Sequence, residues 1–135
     1  MSTDLYTNSF SDKGFFVKSR KLATPADATY NIIRVPRYAF VDSVWLWLTT
    51  AYTLGTATLQ LGWFGNGETA VVTGFMDTDV SEPLVVGIKR AQRSTILTFE
   101  GKYFNAAGGA ITLTTDDDGG TSGTMFVFAH YWVIQ

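Results

Sequence analysis

The side chains best suited to chemistry are few and scattered. One histidine, His130, lies between Ala129 and Tyr131 near the end of the chain. A serine–histidine–aspartate relay needs its imidazole at a strand end or in a loop, beside a free serine. A run of apolar neighbours on both sides offers neither. Zinc needs about four ligands, mostly nitrogen and sulfur, and a chain with one histidine and no cysteine lacks them. Asp116, Asp117 and Asp118, followed by Gly119 and Gly120, offer oxygens to a hard cation. Calcium asks for about six to eight oxygens in a set geometry. Adjacent aspartates point apart and the closing glutamate of an EF-hand is missing, so a solvated turn is the expectation. Glycoside hydrolysis requires two carboxylates across a cleft, and no spacing places any two of Asp77, Asp79, Glu82 and Glu100 that way. Gly62, Gly65 and Gly67 lack the lysine and hydroxyl residue of a phosphate loop. No catalytic, cofactor-binding or metal residue is assigned, and no enzymatic activity or cofactor is expected.

The chain is rich instead in rings. Trp, Tyr and Phe number 4, 6 and 10 in 135 residues, while charged residues make up only 16%. The last stretch concentrates this character. In residues 125–134, Met125, Val127, Ala129, Tyr131 and Val133 fall on one face of a strand. Phe126, Phe128, His130, Trp132 and Ile134 fall on the other, because side chains alternate with period two. A strand apolar on both faces has to be covered twice. A facing sheet can supply one cover, and an arm, a second copy or a partner must supply the other.

The elements that hold this strand follow from alternation and turn signals. Residues 15–19 make a first strand, and residues 20–27 a loop. Residues 28–35 form a strand stopped by Pro36, which has no amide to donate to a ladder. Ile33 and Val35 share one face of it. In residues 40–50, Val44, Leu46 and Leu48 make the core face, and Trp45 and Trp47 stand side by side on the other. Residues 56–62 alternate with Ala57, Leu59 and Leu61 inward and Thr56, Thr58 and Gln60 outward. Gly65-Asn66-Gly67 is a strong turn signal. Residues 68–83 lack a clear strand period, with room for a short strand at residues 70–73, and residues 75–82 are the one place where a helical turn fits. Residues 94–105 read as a long strand broken by Gly101. Residues 110–115 alternate again, with Ile111 and Leu113 inward. The expected fold is all-β: a single β-sandwich, jelly-roll-like, with about eight strands. It spans residues 15–135 and carries an extended N-terminal arm over residues 1–14, in which Leu5, Tyr6 and Phe10 interrupt a polar stretch.

Net charge is −2, which disfavours binding driven by phosphate neutralisation, so no nucleic-acid partner is expected. No apolar run reaches the length of a membrane span, and no basic, apolar leader precedes the arm. Charge is segregated. There is no Lys or Arg between Tyr38 and Ile88, whereas Lys13, Lys18, Arg20, Lys21, Arg34 and Arg37 crowd the first third. Such blocks are solvated loops or complementary surfaces between copies.

Several segments together resemble the small all-β structural proteins of tailed-phage virions, particularly capsid decoration or cement-like proteins. They are residues 30–36 ahead of the aromatic strand 41–48, then residues 55–62, the acidic stretch 74–79 and the closing residues 123–131. The resemblance is one of layout and covers roughly residues 28–133. It implies a non-enzymatic virion component, made in the host cytoplasm, attached to a capsid lattice through the major capsid protein. It also implies a homo-oligomer, with a trimer favoured. Leu5, Tyr6 and Phe10 are expected to dock the arm, with Trp45, Trp47 and Trp132 at or near subunit contacts. The other reading is a carbohydrate- or receptor-binding module of a tail or fibre, with Trp45, Trp47, Trp63, Tyr103 and Trp132 as a stacking platform for sugar rings.

Overall fold

The computed structural model describes residues 14–76, 85–90 and 101–134. Every regular element among them is a strand. The two sheets are antiparallel and pack face to face. Sheet A has the order β1 (Gly14–Lys18), β10 (Thr124–Val133), β4 (Ala39–Thr50), β7 (Gly87–Arg90). Two short pieces extend it: β2 (Leu22–Ala23) beside β10 and β8 (Lys102–Tyr103) beside β4. Sheet B has the order β3 (Ala28–Val35), β9 (Gly109–Asp116), β5 (Thr58–Gly65), β6 (Glu68–Met76).

The β-sandwich follows from period-two burial. Val44, Leu46 and Leu48 of β4 and Met125, Val127 and Ala129 of β10 project inward from sheet A. They meet Ile33, Val35, Leu59, Leu61, Ile111 and Leu113 of sheet B, and all are buried. These are the residues whose alternation marks them as core in the sequence. The rungs are also those β structure favours, being β-branched or aromatic at most positions. At the β5–β6 hairpin, Asn66 (φ 60°) and Gly67 (φ 68°) both adopt the left-handed conformation, as the two central residues of a type I′ turn require.

Polar struts close the sandwich between its sheets. Tyr52, just past β4 and buried, hydrogen-bonds the hydroxyl of Thr115 on β9. The β5–β6 turn is tied to the chain after β8: the Asn105 amide donates to Asn66 Oδ1 (2.7 Å), and Asn66 Nδ2 donates to the Tyr103 carbonyl (2.9 Å). Lys102 Nζ pairs with Glu68 at 2.9 Å and sits 4.6 Å from the centre of the Trp63 ring.

Two sequence expectations change, and two others lie largely outside the described residues. Residues 68–76, read as lacking a clear strand period beyond a short strand at residues 70–73, form one longer strand, β6. Val71 pairs with Trp63 but Met76 pairs with Leu61. The intervening residues form a bulge, which breaks the alternation while keeping the strand. Gly62 lies directly beneath this bulge, and a Cβ there would come within 1.9 Å of the Val71 carbonyl oxygen. Within the loop 20–27, Leu22 and Ala23 add two rungs to β10. Of the suggested helical turn, Phe75 and Met76 belong to β6 and residues 77–82 lie outside the described residues. Lys102 and Tyr103 are strand, whereas residues 94–100 lie outside the described residues.

An aromatic outer face as the candidate functional site

The inner face of sheet A builds the core. Its outer face is covered with rings. β10 lies at the centre, between β1 and β4, and its register fixes which side chains become neighbours. Phe128 stands opposite Trp45, Phe126 opposite Trp47, His130 opposite Phe16 and Trp132 opposite Phe40. Trp47 in turn pairs with Ile88, and Phe40 with Tyr103. The rings touch across strands. Trp47 stacks on Phe126 at 5.4 Å and on Phe128 at 6.3 Å, and Phe16 lies 5.5 Å from Trp45 and 5.7 Å from Phe128. Lys18 Nζ sits 4.7 Å from the centre of the Phe126 ring, a cation–π contact at the margin.

Much of this apolar surface meets water. Phe16 is 63% exposed, Ile88 65%, Tyr103 46%, Trp132 37% and Trp47 36%. At ~200 Å² per large side chain, those fractions amount to about 500 Å², a patch at the upper end for a monomer and one that marks contact surfaces. The outer face of sheet B contrasts with it. Thr29 and Thr114 share a hydroxyl–hydroxyl hydrogen bond of 2.8 Å there, beside Gln60. An open groove of about 580 Å³ at one end of sheet B is lined by Asn31, Arg34, Phe64 and the glycine-rich turns. Arg34 is its one ionisable lining residue, so the groove holds no acid–base pair.

The polar chemistry on sheet A gathers at one end of the aromatic face, and a bulge puts it there. Opposite β10, the register of β4 skips from Ser43 to Val41, leaving Asp42 as the extra residue. The bulge turns its carboxylate onto the outer face. Asp42 Oδ1 lies 2.7 Å from His130 Nδ1, and Oδ2 accepts from Trp132 Nε1 at 3.0 Å. The two rings pack edge to face at 5.2 Å. One carboxylate therefore fixes two aromatic side chains, with the hydrogen bond at Nδ1 setting the imidazole orientation. The other ring nitrogen, Nε2, faces Gly14, where even a Cβ would lie 2.5 Å away. A glycine thus occupies the position where a relay would hold its hydroxyl nucleophile.

The acidic turn has a structural use. Asp116 Oδ1 and Asp117 Oδ1 accept from the amides of Asp118 (2.8 Å) and Gly119 (3.0 Å), and Asp27 Oδ1 accepts from the Asp117 amide (2.8 Å). Asp27, Asp116 and Asp117, and not the consecutive trio, are the carboxylates that come together. Their hydrogen bonds hold the loop to the start of β3.

Of the residues expected at contacts, Trp45, Trp47 and Trp132 share the outer face of sheet A. Leu5, Tyr6 and Phe10 lie outside the described residues. The five-ring platform does not form as one unit. Trp63 belongs to sheet B, where it packs against the core and meets Phe75 edge to face at 5.1 Å, whereas the other four rings lie on the outer face of sheet A. The Asp42–His130–Trp132 cluster escapes a reading of sequence motifs, because its members are 88 and 90 residues apart. Its one trace is the consecutive polar pair Asp42-Ser43, which breaks the alternation of β4.

The sandwich is similar in fold to chains of solved phage capsids. A chain of the cyanophage Pam1 capsid asymmetric unit superposes with a TM-score of 0.68 at 14% identity, covering 99% of this chain and 94% of that one. A chain in the acidic stable capsid structure of Helicobacter pylori bacteriophage KHP30 gives 0.63 at 12% identity, over 88% and 86%. A chain in the capsid of Ralstonia phage GP4 gives 0.61 at 14%, over 100% and 92%. No protein-family model matches the chain, and no curated protein matches it in sequence.

Proposed function

We propose that this chain is a non-enzymatic structural protein of a phage virion, and specifically a capsid decoration (cement) protein. On this reading it binds the capsid surface, with the major capsid protein as partner, as a homo-oligomer in which a trimer is favoured. The observation that carries the proposal is the near end-to-end likeness of fold to chains of three phage capsid structures. The strand orders of the two sheets, β1-β10-β4-β7 and β3-β9-β5-β6, support reading the sandwich as a jelly roll. The outer face of sheet A supplies a surface for association between copies. Buried apolar area contributes about 25 cal/mol per Å², and rings already locked against one another lose little further freedom on docking.

That locking also separates this reading from a sugar-binding platform. A pyranose stacks on an open ring face, but the Trp47 indole is packed by Phe126 and Phe128. The face offers a corrugated apolar wall, which suits a protein surface. Purified chain mixed with capsids that lack it should co-sediment saturably, and its mass in solution at micromolar concentration should be a multiple of 14.8 kDa. A monomer that does not bind capsids sinks the proposal. Saturable quenching of tryptophan fluorescence by one class of glycan, abolished in Trp47→Ala, would replace it with the sugar-binding reading.

A further inference from the structure

We infer that the outer aromatic face of sheet A receives residues 1–13 of a second copy of this chain. The inference shares the premise of self-association with the proposed function and is independent of the capsid.

The direction of β1 carries the first step. It runs antiparallel to β10, with Gly14 opposite Trp132 and Lys18 opposite Phe128. Followed backwards, the strand axis leaves the sheet at the Trp132 end. Trp45 and Trp47, opposite Phe128 and Phe126, lie the other way. Gly14 is wedged against the His130 and Trp132 rings, so the departure point is held by the cluster that Asp42 organises. At ~3.3 Å per residue, an extended segment would carry Phe10 about 13 Å past the sheet end, and Tyr6 and Leu5 about 26–30 Å past it. Along such a path the three apolar side chains of the segment would leave the rings of their own copy and come within reach of a neighbour.

The chemistry of the segment matches the face. In residues 1–13, Leu5, Tyr6 and Phe10 stand among Thr3, Thr7, Asn8, Ser9 and Ser11. In an extended chain Tyr6 and Phe10 share one face, ~13 Å apart. Phe128 and Trp132 are likewise four residues apart on the outer face of β10, and Phe128 stands opposite Trp45. A segment running along the face can therefore set one ring near Trp132 and the other near Trp45 and Phe128, ~13 Å away.

Area supplies the third argument. The face offers about 500 Å², short of the roughly 800 Å² each partner contributes to a standard stable interface. Three large side chains at ~150–200 Å² each make up the difference. Reciprocal exchange would give every copy both a donated arm and an occupied face.

The test uses the full-length chain with the photoreactive residue p-benzoylphenylalanine in place of Phe10, and separately of Tyr6. A ¹⁵N-labelled and an unlabelled preparation are mixed, irradiated and digested. The expected products are mixed-isotope crosslinks to peptides that contain Trp45–Trp47 or Phe126–Trp132. Crosslinks confined to one copy, crosslinks to sheet B, or none at all overturn the inference. A second measurement is independent of labelling. Tyr6→Ser combined with Phe10→Ser should weaken self-association by about tenfold or more while circular dichroism of the sandwich is unchanged, and unaltered association overturns the inference. Mixed-isotope crosslinks at the face in a chain that binds no capsid uphold it, and remove only the decoration role.

Discussion

The two faces of β10 can be separated by placing the same charge on adjacent residues, Val127→Asp and Phe128→Asp. Val127 is 0% exposed and faces sheet B. Its substitution forfeits about 1.5–3 kcal/mol of burial. It also brings a carboxyl group into a site where its pKa must rise by up to 3–5 units to stay neutral, a further ~4–7 kcal/mol. Together these are comparable to the whole stability of a domain, about 5–15 kcal/mol, so the chain should be largely unfolded. Phe128 projects outward and is half-buried, with ring contacts to Phe16 and Trp47. Two aromatic pairs at about 0.5–1.5 kcal/mol each, with partial loss of burial, put its cost near ~2–4 kcal/mol, and a carboxylate there keeps its water. That variant should fold with a lowered denaturation midpoint and lose self-association by about tenfold or more. Urea unfolding followed by circular dichroism measures the first effect, and light scattering across a dilution series the second. An unchanged midpoint in Val127→Asp would refute the register of β10. A Phe128→Asp chain that associates like the parent would show that the outer face needs no cover.

Three further outcomes follow from single sites. Burial raises the Tyr52 phenol above its usual pKa near 10, against the opposing pull of the Thr115 and Ser122 hydroxyls. Its protonated form is therefore the one the fold favours, and its contribution is complete below pH ~10 and lost as pH rises through the raised value. The stability gap between the parent and Tyr52→Phe should shrink between pH 9 and 12 in urea titrations, and a constant gap would contradict the assignment. Thr112 Oγ1 is buried with no hydrogen-bond partner among the described residues, so Thr112→Val should raise stability by about 1 kcal/mol; a lower thermal midpoint would argue for a partner. Asp42→Ala removes both anchors of the outer cluster. It should cost only about 1 kcal/mol, because the pair is partly exposed, while the Trp132 indole proton loses its protection from exchange.

What the sequence reveals depends on parity. The strands β3, β4, β5, β9 and β10 keep alternation over most of their length, and their inward residues can be read from the order of apolar and polar side chains. β6 is legible only as a short strand at residues 70–73, because its bulge opposite Leu61 and Trp63 shifts the phase halfway, so neither half is long enough to establish a period. β2 is hidden because two rungs carry no pattern at all. The same device conceals the polar cluster. Asp42 reaches His130 and Trp132 only because it is the unpaired residue of a bulge, and local spacing says nothing about a partner on another strand. Trp63 misleads for a different reason. It is in phase with the inward Leu59 and Leu61 and pairs with the buried Ile111, and only the fold reveals that its ring packs on Phe75.

The requirement that β10 be covered on both faces has a specific physical form. Its inner face is satisfied within one copy, because Met125, Val127 and Ala129 are all buried against sheet B. Its outer face is only half satisfied: Phe126 and Phe128 are sheltered by Trp47 and Phe16, and those shielding rings are themselves exposed. Intramolecular stacking thus moves the exposed apolar area outward from the central strand to its neighbours without removing it. Sheet B exposes less apolar surface, with Phe64 and Val72 as its large exposed apolar residues, while Thr29, Thr114 and Gln60 give its outer face polar groups. The asymmetry gives the sandwich a direction. Association through sheet A would leave the more polar face of sheet B outward, whereas association through sheet B would desolvate hydroxyls, for a smaller apolar gain, and leave about 500 Å² of ring surface in water.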